Sequence, residues 1–245
     1  MIELLNCGLF SYPKDAERGN QDAILPPKSW GNGYIVAVAD GVGSYSGARE
    51  AADIAIETLT DLEHTNYLDV RKILGRVKLG IEELTSKSYD LAKAATTLSF
   101  CVIDEHSLSV CHVGDTRVYV RRGNKLIQLT KDHTQHQELM DEGIYTKKEL
   151  QNLSGKNVLT SALSRYIEPR FQEIKIPTSE LVDDNGIIDL YIMSDGTHHF
   201  WEKRARFSPG TLSMPTRFSS SLLRRIENGP PIDDYSLVSA SFLIK

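Results

Sequence analysis

Cysteine is scarce in this chain: three residues in 245, and Cys7, Cys101 and Cys111 are neither even in number nor at metal-ligand spacing. A disulfide framework and a thiolate zinc site are both disfavoured, while reduced, buried thiols fit the apolar runs around two of the three. Long hydrophobic runs are missing as well, and nothing approaches the roughly 20 apolar residues that span a bilayer. Met1-Ile2-Glu3-Leu4-Leu5 has no basic region or small-residue cleavage site, so no secretory leader is expected and the reading is cytoplasmic. Positive charge is in deficit, 28 Lys and Arg against 33 Asp and Glu, and the net charge of -5 argues against a protein that wraps nucleic acid. Internal repeats and low-complexity tracts are absent too.

What is there begins with Tyr34-Ile35-Val36-Ala37-Val38-Ala39-Asp40-Gly41-Val42-Gly43, a buried strand that delivers a carboxylate to a glycine-rich exit. The same pattern returns at Leu190 to Gly196, ending in Asp195-Gly196, and more loosely at Val110 to Asp115. Apolar runs that end in aspartate and converge need a cation between them.

Taken in order, Ile2 to Phe10 predicts an opening strand, and Ser11 to Asn20 a loop leading into Asn20-Gln21-Asp22. Pro26-Pro27 and Gly31-Asn32-Gly33 punctuate a turn, so Ala23 to Leu25 pairs hairpin-like with Tyr34 to Ala39 and brings Asp22 near Asp40. Ser44 and Ser46 offer caps to a helix with Ala48, Ala51, Ala52, Ala55, Leu59 and Leu62 on one face. Val70, Ile73, Leu74, Val77, Ile81 and Leu84 predict a second helix, antiparallel to the first across the short link His64-Thr65-Asn66.

From Thr97 the period is that of strands: Thr97 to Ile103, Ser109 to Val113, Arg117 to Arg121 and Lys125 to Leu129, an antiparallel meander. Two short helices follow, Thr134 to Glu142 and Thr146 to Leu153, then strands at Phe171 to Ile176 and Ile187 to Met193. Thr197 to Pro215 shows no period and reads as irregular, with Lys203, Arg204 and Arg206 on a solvated loop. A short helix at Ser219 to Ile226 precedes a half-buried final strand with Val238, Ala240, Phe242 and Ile244 on its apolar side. This order describes an α+β protein, with sheets covered by helices on their outer faces.

Asp22, Asp40, Asp115, Asp195 and Asp233-Asp234 all stand at strand ends. Hard oxygen ligands suit Mg²⁺ or Mn²⁺, and no Cys or His cluster supports zinc; His198-His199 is rejected because adjacent side chains diverge. A pair of such ions activates water for attack on phosphorus.

The chain resembles the metal-dependent protein phosphatases of the 2C type, the PPM family, in bacterial form. The resemblance is carried, in order, by Asn20-Gln21-Asp22, Asp40-Gly41-Val42-Gly43, Ala95-Thr96-Thr97-Leu98, Gly114-Asp115-Thr116-Arg117, Leu129-Thr130-Lys131-Asp132-His133, Ser194-Asp195-Gly196 and Asp233-Asp234-Tyr235-Ser236. It implies a four-layer α-β-β-α sandwich of two antiparallel sheets flanked by helices, a single phosphatase domain over residues 1–245, and a flap-like segment at about residues 132–166. It implies Asp40 bridging two Mn²⁺ or Mg²⁺ ions, the Gly41 carbonyl on the second, Asp195 and Asp233 on the first, and Asp115 helping an additional, weaker ion. Asp22 is carried over as acting mainly on metal-bound water, and Arg18 is the candidate phosphate-binding arginine.

Two positions depart from the family pattern. Gln21 stands where a glutamate is frequent, so it offers an amide oxygen and no charge to the second ion. Val42 replaces the histidine that some members place after Asp-Gly. The activity implied is hydrolysis of phosphoserine and phosphothreonine in proteins by metal-activated water, without a covalent phospho-enzyme. The partners implied are a phosphorylated protein substrate and a Ser/Thr kinase, with no nucleic acid and no membrane, for a monomer. The rival is a catalytically weak or inactive binding or sensing module on the same fold, which Gln21 and the odd sequence after Asp195 motivate.

Overall fold

The computed structural model describes residues 1–43, 46–63, 68–150, 153–155 and 158–245. Strands β1 (Ile2–Tyr12), β2 (Asp22–Trp30) and β3 (Gly33–Asp40) precede helices α1 (Ala48–Thr60) and α2 (Val70–Lys87). Strands β4 (Ala95–Thr96), β5 (Leu98–Ile103), β6 (Ser107–Val113), β7 (Arg117–Arg122) and β8 (Lys125–Gln128) follow, then helices α3 (Gln135–Asp141) and α4 (Lys147–Leu150). The chain continues with β9 (Leu163–Ser164), β10 (Gln172–Pro177) and β11 (Ile187–Met193), and closes with α5 (Asp195–Lys203), α6 (Pro209–Leu212), α7 (Pro215–Glu227) and β12 (Tyr235–Ile244).

The strands form two five-stranded antiparallel sheets, β1-β12-β11-β7-β8 and β10-β6-β5-β3-β2, and a small pair β4-β9. Three apolar clusters separate four layers. Alanine faces of α1 and the leucine and isoleucine face of α2 cover one sheet around Ile35, Ala37 and Phe100. Val36, Val38, Ile192, Val238 and Phe242 fill the space between the sheets. Helices α5, α6 and α7 cover the other sheet through Trp201, Phe218 and Leu222 over Tyr191 and Leu237. This is the α-β-β-α sandwich expected from the sequence.

Several local expectations were corrected. The predicted meander is divided: β5 and β6 pair in one sheet, β7 and β8 in the other, and the chain changes sheets through Gly114-Asp115-Thr116. Gly114 makes the change at φ 102, a left-handed conformation that favours glycine. Pro26-Pro27 do not form the turn but lie within β2, where the register slips by one residue between Leu25 and Lys28. As the outer strand of its sheet, β2 tolerates the missing donors, and the bulge takes up the extra residue.

Thr197 to Pro215 is not irregular, because α5 starts at Asp195 and buries Thr197, Phe200 and Trp201 at the three-and-four spacing of a helix. The final strand is buried on both faces: among its serines, Ser239 donates to the Gly8 carbonyl of β1 at 2.7 Å and Ser241 donates to Asp189 of β11. Helix α7 is also longer than predicted; of the span predicted for α4, Gln151 and Asn152 lie outside the described residues. Helix α1 begins after Gly47 at φ 88 and not on a Ser46 cap; Ser44 and the His64-Thr65-Asn66 link lie outside the described residues.

Candidate metal centre

Strand register gathers the acidic positions at one end of the sandwich. Asp22 at the start of β2 pairs directly with Asp40 at the end of β3. In the same sheet β5 starts and β6 ends there, with Leu98 opposite Val113, which places the Asp115 crossing beside them. In the facing sheet Met193 lies opposite Arg117 on one side and Leu237 on the other, so Asp195 and Asp233 emerge at that same end.

Local contacts fix the backbone that carries Asp40 and Asp195. Asp40 is held by threonines: its N–H donates to Thr97 Oγ1 at 3.1 Å, and its carbonyl accepts from Thr97 N–H at 2.8 Å and Thr96 Oγ1 at 3.0 Å. Thr97 is backed in turn by Thr116, hydroxyl to hydroxyl at 2.6 Å. Gly41 donates to the Gln21 carbonyl at 3.1 Å and bridges to Thr96. A Cβ there would stand 2.5 Å from the Ala48 carbonyl oxygen, so only glycine lets the exit from β3 pass under α1. Gly196 plays the corresponding part opposite: a Cβ would stand 2.1 Å from the Asp234 carbonyl oxygen. Close approach of the two backbones seats the start of α5, with Asp195, on the Asp233-Asp234 segment.

Burial and mutual repulsion dominate the electrostatics. Asp22 is 3% exposed, and neither of its carboxylate oxygens has a hydrogen-bond partner. Burial pushes it up to about 7, the charges of Asp195 and Asp234 add to that, and the nearby hydroxyls of Ser236 and Ser194 ease it without closing a bond. Asp40 is raised well above the carboxylate range by burial, then by Asp22, Asp195, Asp115 and Asp233. Asp115 is raised by burial, then by Asp195 and Asp132, with Arg117 opposing. A buried carboxylate with no donor, ringed by others, fits a hard divalent cation, which would neutralise the cluster and use the orphaned oxygens. Among the described residues no three acid, imidazole or thiol groups are already closed round one point at ligand distance.

Arg18 stands at the rim. Its Nη2 donates to Asp234 at 2.8 Å and Asp233 at 3.2 Å. The Asp234 side chain, 3% exposed, also accepts from the backbone N–H groups of Lys14 at 2.7 Å and Gln21 at 2.8 Å. Sequence reasoning left Asp234 without a role. No spacing rule reveals it, because its three donors lie more than 200 residues away in the chain.

A cleft of about 300 Å³ opens from Asp115 and Asp195 between α3, α4 and α5. Arg117 lines it, paired with Asp132 through Nε at 2.8 Å and Nη2 at 2.6 Å, and with Glu202 at 2.5 Å. Glu202 and the cleft were not read from the sequence, and His198 was weighed there only as half of a rejected His198-His199 metal pair. The signal was present in the four-residue spacing of His198 and Glu202 behind Asp195. His133 is structural: Nδ1 accepts from Gly114 N–H at 3.0 Å and the ring stacks on His112 at 5.0 Å. Burial holds His112 down to about 3.

Residues 15–224 match the protein phosphatase 2C family. A serine/threonine phosphatase, stp, of Listeria welshimeri is 32% identical over 141 residues, 54% of this chain and 56% of the relative, so the chain spans little more than half of that protein's length. The serine/threonine protein phosphatase PstP of Mycobacterium tuberculosis is 26% identical over 186 residues, 73% of this chain and 36% of PstP. In crystal structures, the PstP/Ppp phosphatase of M. tuberculosis superposes with a TM-score of 0.77 at 21% identity, covering 99% of this chain and 100% of the other. The PstP catalytic domain in complex with two manganese ions gives 0.74 at 22% identity over the same shares. At these identities the superpositions establish the fold.

Proposed function

The chain belongs to the protein phosphatase 2C family, and from that premise we propose that it is a metal-dependent phosphatase acting on phosphoserine and phosphothreonine in proteins. The observation that carries the reading is the buried, donorless Asp22 paired in register with Asp40, facing Asp115, Asp195 and Asp233. Asp40 and the Gly41 carbonyl, with Asp195 and Asp233 opposite, would hold two Mn²⁺ or Mg²⁺ ions; Asp115 would serve a weaker third, and Gln21 would contribute an amide oxygen. Such ions, when bound, activate water for in-line attack and neutralise charge on the phosphoryl oxygens.

The chain's own residues do the rest. Asp22, against Asp40, is placed to accept a hydrogen bond or proton from water on the attacking side. Arg18, fixed by Asp234, presents a planar guanidinium that can grip phosphate oxygens. Thr96 and Thr97 hold the Asp40 backbone so that its carboxylate keeps one position. The cleft along α5 offers room for residues beside the phosphorylated one.

Residues 1–245 are taken as one phosphatase domain whose segment at about 132–166 works as a flap. A cytoplasmic monomer acting opposite a Ser/Thr kinase fits this reading. Among the described residues no helix is long and apolar enough to cross a membrane. The test is phosphate release from a phosphothreonine peptide with and without Mn²⁺, repeated with Asp40→Asn and Asp195→Asn. Release that depends on Mn²⁺ and drops by a factor of about 100 or more in both variants is the expected result. Full activity in both variants, or none in the parent, overturns the proposal.

A further inference from the structure

A groove of about 620 Å³ lies at the far end of α5, where the chain leaves that helix and α7 passes beneath it. Arg204, Arg206, Arg224 and Arg225 line it together with Phe207 and Asn228, and among the described residues no carboxylate lines it. Two acids flank it along the chain: Glu202, taken by Arg117 at 2.5 Å, and Glu227 at the end of α7, which is exposed and does not line the groove. Four positive charges thus gather in one concavity of a chain whose net charge is -5.

The concavity is built. Arg225 donates through Nη1 to the Arg204 carbonyl at 2.7 Å and through Nη2 to the Arg206 carbonyl at 3.1 Å. Its guanidinium carbon stands 4.1 Å from the centre of the Phe207 ring. These contacts tie the segment after α5 to α7 and fix where Arg204 and Arg206 begin. Burial, and after it the charge of Arg204, lowers the Arg225 pKa. Arg204, Arg206 and Arg224 are exposed, and structural pairing does not explain their gathering.

We infer that this groove docks an acidic segment of the phosphoprotein substrate, at a distance from the reacting phosphate. The inference rests on the proposed phosphatase function for the identity of the partner as substrate. Charge complementarity requires an anionic occupant. A concavity of this size, with an aromatic wall, accepts a few residues of extended peptide. The net negative charge of the chain opposes a long nucleic acid or an anionic membrane.

Position sets the rule of recognition. Arg204 follows Asp195 by the length of α5, about 13 Å at the helical rise per residue. An extended peptide covers that span in about four residues, so the acidic segment must stand at least that far from the phosphorylated residue.

Two measurements on the full chain decide it. The first is fluorescence anisotropy with labelled decaglutamate, comparing the parent with Arg204→Gln/Arg206→Gln/Arg224→Gln; Arg225 is left intact because it holds the segment, and circular dichroism verifies folding. Binding that weakens with salt and falls by about tenfold or more in the variant is expected. Equal binding by the two proteins, or none by the parent, overturns the docking site, and tighter arginine-dependent binding of a ten-nucleotide oligothymidylate overturns the choice of partner. The second compares phosphothreonine peptides with four glutamates placed either five residues from the phosphothreonine or next to it. The parent should prefer the distant block in kcat/KM and the variant should not, while both hydrolyse para-nitrophenyl phosphate equally. Loss of that hydrolysis in the parent would fail the phosphatase reading, leaving anisotropy to decide the groove.

Discussion

Arg18 and Asp234 meet at 2.8 Å across 216 positions of sequence, an exposed-rim guanidinium on a carboxylate that is 3% exposed. The same carboxylate holds the backbone of Lys14 and Gln21, so one side chain fastens the whole loop before β2 to the start of β12. Asp234→Ala removes the acceptor from all three donors. Charge-assisted hydrogen bonds of this kind contribute about 1.5–3 kcal/mol, and leaving donors unpaired adds to the loss. The variant should melt several degrees lower and show a higher KM for phosphopeptide. Arg18→Ala should raise KM by about tenfold with a smaller change in kcat, since it removes a grip on phosphate and leaves the acidic cluster in place. Equal KM in both variants and the parent would remove Arg18 from substrate binding.

The pH dependence of stability in chelator carries a definite sign. Asp22 has a folded-state pKa pushed up to about 7, above its ordinary value of 3.8. A raised carboxyl contributes stability that is complete below the unfolded pKa and lost as pH rises through the folded one. Between about pH 4 and pH 7 the metal-free protein should therefore lose about 1.4 kcal/mol per pH unit from this group, or about 2–4 °C of Tm per kcal/mol in a chain of this size. Asp22→Asn should flatten that slope, and Mn²⁺ should restore Tm most at the alkaline end. Differential scanning calorimetry at pH 5, 6, 7 and 8 reads both effects, and a parent that gains stability over the window contradicts them.

In the proposed site Gln21 would offer an amide where a carboxylate would add charge to the second ion. Gln21→Glu should tighten the weaker of two Mn²⁺ binding events by about tenfold, the scale of one added close charge pair in a partly buried site. Isothermal titration with Mn²⁺ separates the events. An unchanged weaker event would place residue 21 outside the coordination shell.

Thr97 holds the Asp40 backbone through two hydrogen bonds. Thr97→Val keeps the shape but removes the hydroxyl that accepts from Asp40 N–H and meets Thr116. The expected result is a loss of about 1–3 kcal/mol in stability from the unpaired buried donor, with Mn²⁺ affinity falling in step. Thr97→Ser should restore both, which a purely steric role would not predict.

Legibility in the sequence followed the range of the interactions. The Tyr34 to Asp40 strand and the Asp22 pairing could be read because apolar period and a hairpin are local signals. Helix α5 was missed because His198-His199 and the basic run after Trp201 blur a short apolar face, although Thr197, Phe200 and Trp201 keep helical spacing. The division of the meander was hidden because β5 to β8 carry the same strand pattern whichever sheet they join. Asp234 was invisible as an anchor, since only the folded chain brings Lys14, Arg18 and Gln21 to it.

The Pro26-Pro27 bulge makes the acidic cluster dependent on counting. Because one extra residue in β2 sits opposite Val36, Asp22 arrives across from Asp40 on the same side of the sheet. Deleting either proline, or adding one residue anywhere between Asp22 and the Gly31 turn, would rotate every side chain upstream to the opposite face. The two prolines, half the length of the strand from the chemistry and without any functional atom, thus act as a phase marker for the carboxylate pair. A chain length between the two aspartates, rather than the residues themselves, is what variation at this end of the protein must preserve.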